Sequence, residues 1–226
     1  SLLSSGLVAR GQRVVVYGRK WYTRNGTGES LQGVEQRFTR GIHTKHLDAI
    51  THGFTALLDA RVLHPEIIHI HGAGTALLLP LARLLHPQAK LVTTFHCIDW
   101  EHAKWNWFAR LFFRFGEWVM CRFSHRVITV SQELTRYCLR AYKAQTEYIA
   151  HPFRSSPVPE RVEEILATYN LKAEQYLLSV SRLVAHKQPH VLIQAYAEAV
   201  RRFPSLFATL PLVIVGSGSW TDEYVR

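Results

Sequence analysis

The chain has 226 residues, 47% of them hydrophobic, which supplies one large core or two modest ones and excludes an intrinsically disordered protein. A formal charge of +10 points to anionic partners, and nucleic acid, an acidic membrane surface and a phosphorylated small ligand all fit it. No apolar run of about 18 uncharged residues is present, and Cys97, Cys121 and Cys138 are too few and too irregularly spaced for a disulfide framework or a zinc site, so a reducing compartment is the natural setting.

The opening SLLSSGLVARGQ lacks the basic start of a signal peptide and reads as the back half of a helix. Short runs rich in β-branched residues then recur: RVVVY (13–17), EQRFTR (35–40), IIHIH (67–71), LVTTF (91–95), RVITV (126–130), EYIA (147–150), YLLSV (176–180) and LVIVG (212–216). Most lack strict alternation, the pattern of strands buried on both faces. Between them, residues 44–63 place Leu47, Ile50, Phe54, Leu57 and Leu58 at helical spacing, and residues 190–203 do the same with Leu192, Ala195, Tyr196, Ala199 and Phe203, with Pro189 near the first turn. This alternation predicts an α/β protein with a largely parallel sheet. The aromatic, basic segment 99–123 reads as a buried helix pair whose wet side carries Arg110, Arg114 and Glu117; rest on a membrane surface is the alternative. Prolines and serines concentrate once, in AHPFRSSPVPERVEE, which places a domain boundary between about 150 and 160. Residues 1–150 are expected to form one unit and 151–226 a linker and a second.

Small, polar and cationic residues follow the strands: His71-Gly72, His96, Ser131, His151, Ser181-Arg182 and Gly216-Ser217-Gly218. In open α/β sheets ligands bind outside the carboxyl ends of strands. Arg182 offers a planar fork of donors and Lys187 a mobile point charge, and with the helix start behind them they can neutralise a phosphate or diphosphate. A solvated loop pair is the plain alternative. Gly216 and Gly218 would let backbone approach a ligand, although Gly-Ser-Gly is also an ordinary turn; Ser219 or Thr221, ahead of Asp222 and Glu223, reads as a further helix start. His96 can bond a sugar hydroxyl or assist proton movement, or simply bond backbone. His69 and His71 share one strand face at a spacing that suits metals, without the accompanying ligands, so no metal site is expected.

Taken in order, TTFHCIDWEHAKW, RFSHRVITVSQELTRY, YIAHPF, YLLSVSRLVAHKQPHVLIQAYAEA and LVIVGSGSW resemble successive landmarks of retaining glycosyltransferases of family 4, above all those with an HGxDW-like segment. The resemblance implies a GT-B fold: a Rossmann-like acceptor domain and the front part of a Rossmann-like donor domain, with the active site between them. It implies transfer of a sugar from a nucleotide diphosphate-sugar, with retention at the anomeric carbon and with neither metal nor cofactor beyond that co-substrate. Ser181, Arg182, Lys187, Gly216 and Gly218 then fall on the donor side, Arg182 and Lys187 holding the diphosphate and His96 contacting the transferred sugar, whereas His71, Gly72, Asp99, Trp100 and Lys104 fall on the acceptor side. The acceptor is a glycan, a lipid-linked molecule or a small molecule. The expected location is the cytoplasm, with peripheral contact at an anionic inner membrane face and no specific nucleic acid.

Three departures stand out: Cys97 in place of a glycine after the histidine, HPF (151–153) in place of an Asn-Gly turn, and GSG in place of GDG. The family's N-terminal glycine-rich loop and its paired glutamates have no counterpart in the sequence, so it reads as an internal fragment expected to attract a diphosphate without catalysing transfer. A nucleotide-sugar epimerase of GT-B fold and a non-catalytic anion-binding module are the competing readings.

Overall fold

The computed structural model describes residues 2–19, 21, 33–44, 47–101, 105–153 and 160–217. It is a mixed α/β structure with parallel sheets, of the Rossmann-like GT-B kind, and it divides into two compact units, Ser1–Arg154 and Ser155–Arg226.

The first unit opens with α1 (Leu2–Val8) and a parallel pair, β1 (Val15–Arg19) and β2 (Glu35–Thr39), in register from Val15 opposite Glu35 to Arg19 opposite Thr39. The first strand starts two residues later than its sequence run. Helix α2 (Asp48–Asp59) and the 3₁₀ turn Ala60–Leu63 occupy the segment expected to be one long helix. Polar bonds fasten α2 to the strand pair. Tyr17 Oη donates to Asp59 Oδ2 at 2.9 Å, Arg37 Nη1 donates to the same oxygen at 2.8 Å, and His52 Nε2 lies 3.0 Å from the Gly18 carbonyl oxygen. Of the predicted apolar stripe only Leu57 is buried; Leu47, Phe54 and Leu58 remain exposed.

Beside this pair stands a four-stranded parallel sheet in the order β3 (Ile67–His71), β4 (Lys90–Phe95), β5 (Arg126–Thr129), β6 (Glu147–Tyr148). The crossovers carry α3 (Ala73–Ala76) and α4 (Leu79–Leu85), then α5 (Trp107–Phe123), then α6 (Gln132–Tyr142). Leu91, Phe95 and Val127 of the sheet meet Leu79, Met120 and Leu134 of the helices in the core. As both-face burial requires, β4 buries Thr93 and Thr94 as well, and Thr93 Oγ1 pairs with Ser124 Oγ at 2.9 Å. Helix starts follow side-chain chemistry: the Asn106 and Ser131 oxygens accept from the backbone N–H of Ala109 and Leu134.

Among its described residues, segment 99–123 forms no helix pair but one short 3₁₀ turn, Asp99–Glu101, and the 17-residue α5. Glu117, assigned above to the wet side, is fully buried. It shares a face with Phe113, Gly116 and Met120, and that face meets the core because Gly116 allows α5 to close on α3: a Cβ there would stand 2.3 Å from the Ala73 carbonyl oxygen.

The second unit contains α7 (Val162–Thr168), β7 (Leu177–Val180), α8 (Pro189–Arg202), α9 (Pro204–Phe207) and β8 (Leu212–Val215), with β7 and β8 parallel from Leu177 opposite Leu212 to Val180 opposite Val215. Pro189 takes the first helical position of α8, where its missing N–H costs nothing. Tyr196 Oη donates to the Leu210 carbonyl at 3.1 Å, tying α8 to the approach to β8. The stripe on α8 is not buried as predicted, and Leu178, Val180 and Val215 also remain exposed. Among the described residues no helix is long and apolar enough to cross a membrane.

Candidate functional site

The first unit gathers histidines at the carboxyl ends of its strands. His71 closes β3, His96 follows β4 and His151 follows β6. His71 Nδ1 lies 3.0 Å from His96 Nε2, and His96 Nδ1 lies 3.3 Å from His151 Nε2, with interplanar angles of 21° and 6°. Hydrogen-bonded imidazoles in such a file each accept at one nitrogen and donate at the other, so all must point their protons the same way along it. His69 stacks on His71 with ring centroids 4.3 Å apart and bonds Thr94 Oγ1 at 2.7 Å.

The fold disfavours protonation of His69, His71 and His96. Burial, then the neighbouring His71 and His96, push His69 down to about 4. His71 is lowered by burial and by His96 and His151, and His96 by burial and His151 against an opposing pull from Asp99. Among the described residues no cluster of three or more His, Cys, Asp or Glu is arranged to hold a metal. Both ring nitrogens of His96 are engaged by other histidines, so the direct sugar contact expected from sequence requires one neighbour to be displaced; His151 holds the longer link.

Gly72 donates its N–H to the Thr94 carbonyl at 3.0 Å, and Thr75 Oγ1 donates to the His71 carbonyl at 2.6 Å, which fixes the end of β3. Asp99 begins the 3₁₀ turn, and its Oδ1 accepts from Cys97 Sγ at 3.5 Å. Trp100 is held on two sides. Its Nε1 donates to Tyr137 Oη at 3.2 Å, and the Arg114 guanidinium lies 5.2 Å from its ring centroid. Tyr137 and Tyr142 in turn each donate to Glu117 Oε2 at 2.7 Å. Burial raises the Glu117 carboxyl, while the two phenols favour its ionised form. Lys104 lies outside the described residues.

In the second unit the segment after β7 is pinned to the end of β8. Ser181 N–H donates to the Val215 carbonyl and Leu183 N–H to the Ser217 carbonyl, each at 3.1 Å, so the backbone is held on both sides of Arg182. Val184 is buried and anchors the loop. A 3₁₀ turn, Ala185–Lys187, and the left-handed Gln188 then lead into α8. Arg182 and Lys187 are both exposed, and among the described residues neither joins an ion pair. Ser181 Oγ donates weakly to the Arg182 carbonyl at 3.4 Å. Gly216 serves the chain itself: a Cβ there would lie 1.9 Å from the Ser181 carbonyl oxygen, so the glycine lets the end of β8 close on the β7 loop. Gly218 and the helix start expected at 219–223 lie outside the described residues. A cavity of about 380 Å³ lined by Lys172, Gln175, Tyr196 and Pro211 sits at the amino ends of β7 and β8, away from this loop.

Sequence reasoning did not select His151 as the partner of His96, nor Glu117, Tyr137 and Tyr142 as supports of Trp100. The signal for His151 was present: a histidine at a third strand end, where the resemblance leads one to expect asparagine. Nothing local in the sequence marks the tyrosines, because they meet Glu117 only through the packing of α5 on α6. The family model described as Glycosyltransferase Family 4 matches residues 2–151, about two thirds of the chain. No curated protein matches it.

Proposed function

The chain belongs to glycosyltransferase family 4, and from this we propose that it moves a sugar from a nucleotide diphosphate-sugar to an acceptor with retention at the anomeric carbon. The observation that supports the donor half is the pair Arg182 and Lys187. Both are exposed on a loop clamped to the end of β8 and lead directly into α8, whose N-terminal dipole end favours negative charge. As the sugar departs, negative charge accumulates on the diphosphate; a guanidinium fork and an ammonium already in place stabilise it most at the transition state. In this reading the cations, not a metal, provide that neutralisation.

The first unit supplies the acceptor side: His71, Gly72, Asp99 and Trp100. A sugar hydroxyl that takes the place of His151 at His96 Nδ1 would leave His96 held by His71 at its other nitrogen, and therefore in a fixed tautomer. The test is to incubate the protein with a panel of nucleotide-sugars and candidate glycan, lipid-linked and small-molecule acceptors, and to assign product stereochemistry by NMR. Any product is expected to keep the anomeric configuration of the donor, and turnover by residues 1–226 alone would correct the expectation, from the sequence, of binding without transfer. Arg182→Ala and Lys187→Ala are each expected to lower turnover about a hundredfold or more. An inverted product, an epimerised donor or undiminished turnover in both variants would refute the assignment.

A further inference from the structure

The two faces of α5 are both apolar, and only one is covered. Val119, Met120 and Gly116 pack inward. On the outward side, Trp107, Phe108, Leu111, Phe115 and Trp118 are between 46% and 77% exposed. Positions 107, 111, 115 and 118 follow a stripe along the helix, and the rings cluster: Phe115 stacks on Trp118 at 5.6 Å and Trp107 meets Phe108 at 6.0 Å. A row of large aromatics left in water on one helix marks an interaction surface, not an ordinary scatter of exposed residues.

The charges around the stripe identify its partner. Arg110, Arg114 and Arg122 are exposed on the same helix, and its single acidic residue, Glu117, is buried. An aromatic strip whose exposed charged neighbours on α5 are all arginines is complementary to a surface that is apolar beneath and anionic above. We propose that the outward face of α5 lies on an anionic membrane surface, its aromatic side chains entering the headgroup boundary and its arginines meeting lipid phosphates. In combination with the proposed transfer, on which this one step rests, that placement selects the lipid-linked class of acceptor.

The test is co-sedimentation of the protein with vesicles of equimolar phosphatidylglycerol and phosphatidylcholine, beside vesicles of phosphatidylcholine alone. No sugar transfer is read, so failure here is separate from failure of the proposed reaction. Binding is expected to the anionic vesicles and to fall as salt rises. The exposed-site variant Trp107→Ser/Leu111→Ser/Phe115→Ser, with unchanged circular dichroism, should bind at least about tenfold more weakly, since each change removes a large apolar contact. Arg110→Gln/Arg122→Gln should bind roughly 25-fold more weakly at low salt, at about fivefold for each charge. Absence of binding, or undiminished binding by both variants, would overturn the proposal. So would concentration-dependent self-association that the serine variant abolishes while vesicles are ignored, because a second copy would then cover the face.

Discussion

At Gly216 the physics is steric. The Ser181 carbonyl occupies the position of a side chain, so Gly216→Ala must push the β7 loop away from the end of β8. The expected loss is about 1–3 kcal/mol in chemical denaturation, the usual scale of overpacking; unchanged stability would show that the loop yields freely. Glu117 is a matter of hydrogen bonding. Tyr142→Phe removes one of its two phenol donors and is expected to lower stability by about 1–3 kcal/mol in chemical denaturation. The histidine row makes a third prediction. His69, His71 and His96 are held below the ordinary histidine range, so between about pH 6.5 and the folded values, about 4 for His69, the unfolded chain binds more protons than the folded one. The histidine contribution is therefore fully present above about pH 6.5 and is lost as pH falls toward 4, with each excluded proton tilting stability by about 1.4 kcal/mol per pH unit. Denaturation midpoints measured across this range should fall with acid, and His69→Gln should lessen the fall; a pH-independent midpoint would contradict this account. His96 was legible as a strand-end residue, but that both its nitrogens are taken depends on where β3, β4 and β6 bring their ends, which no local pattern encodes.

Among the elements, strands were the easiest to read. Every β-branched run named above overlaps a strand, with ends shifted by no more than two residues, because such side chains favour the extended backbone. Helix faces were harder. The sequence of α5 is apolar on more than one face, so periodicity alone cannot tell which side is covered, and the choice turned on Gly116 fitting against Ala73. That is why Glu117 was placed in water, the reverse of the structure. The strands also differ in cover. Leu91, Thr93 and Phe95 in β4 are buried, whereas Leu178 and Val180 in β7 are exposed. Hydrogen exchange should accordingly be slower at the β4 amides than at those of β7; equal protection would show that the second unit is as stable as the first.

For the molecule as a whole, the charge of +10 announced anionic partners without choosing among them, and the structure divides that charge into places. Arginines border the aromatic stripe of α5, and Arg182 and Lys187 stand at the entrance to α8. Family membership rests on the first unit, since the match ends at residue 151, while the donor assignment rests on two side chains in the second. The measurement that bears most directly on that assignment is calorimetric titration of the protein with a panel of nucleoside diphosphates. At least one should bind, with affinity that falls as salt rises and drops about tenfold or more in Arg182→Ala and in Lys187→Ala, the scale of one charge-assisted contact; His96→Ala should leave it unchanged. Binding indifferent to both cations, or no binding by any diphosphate, would contradict the account.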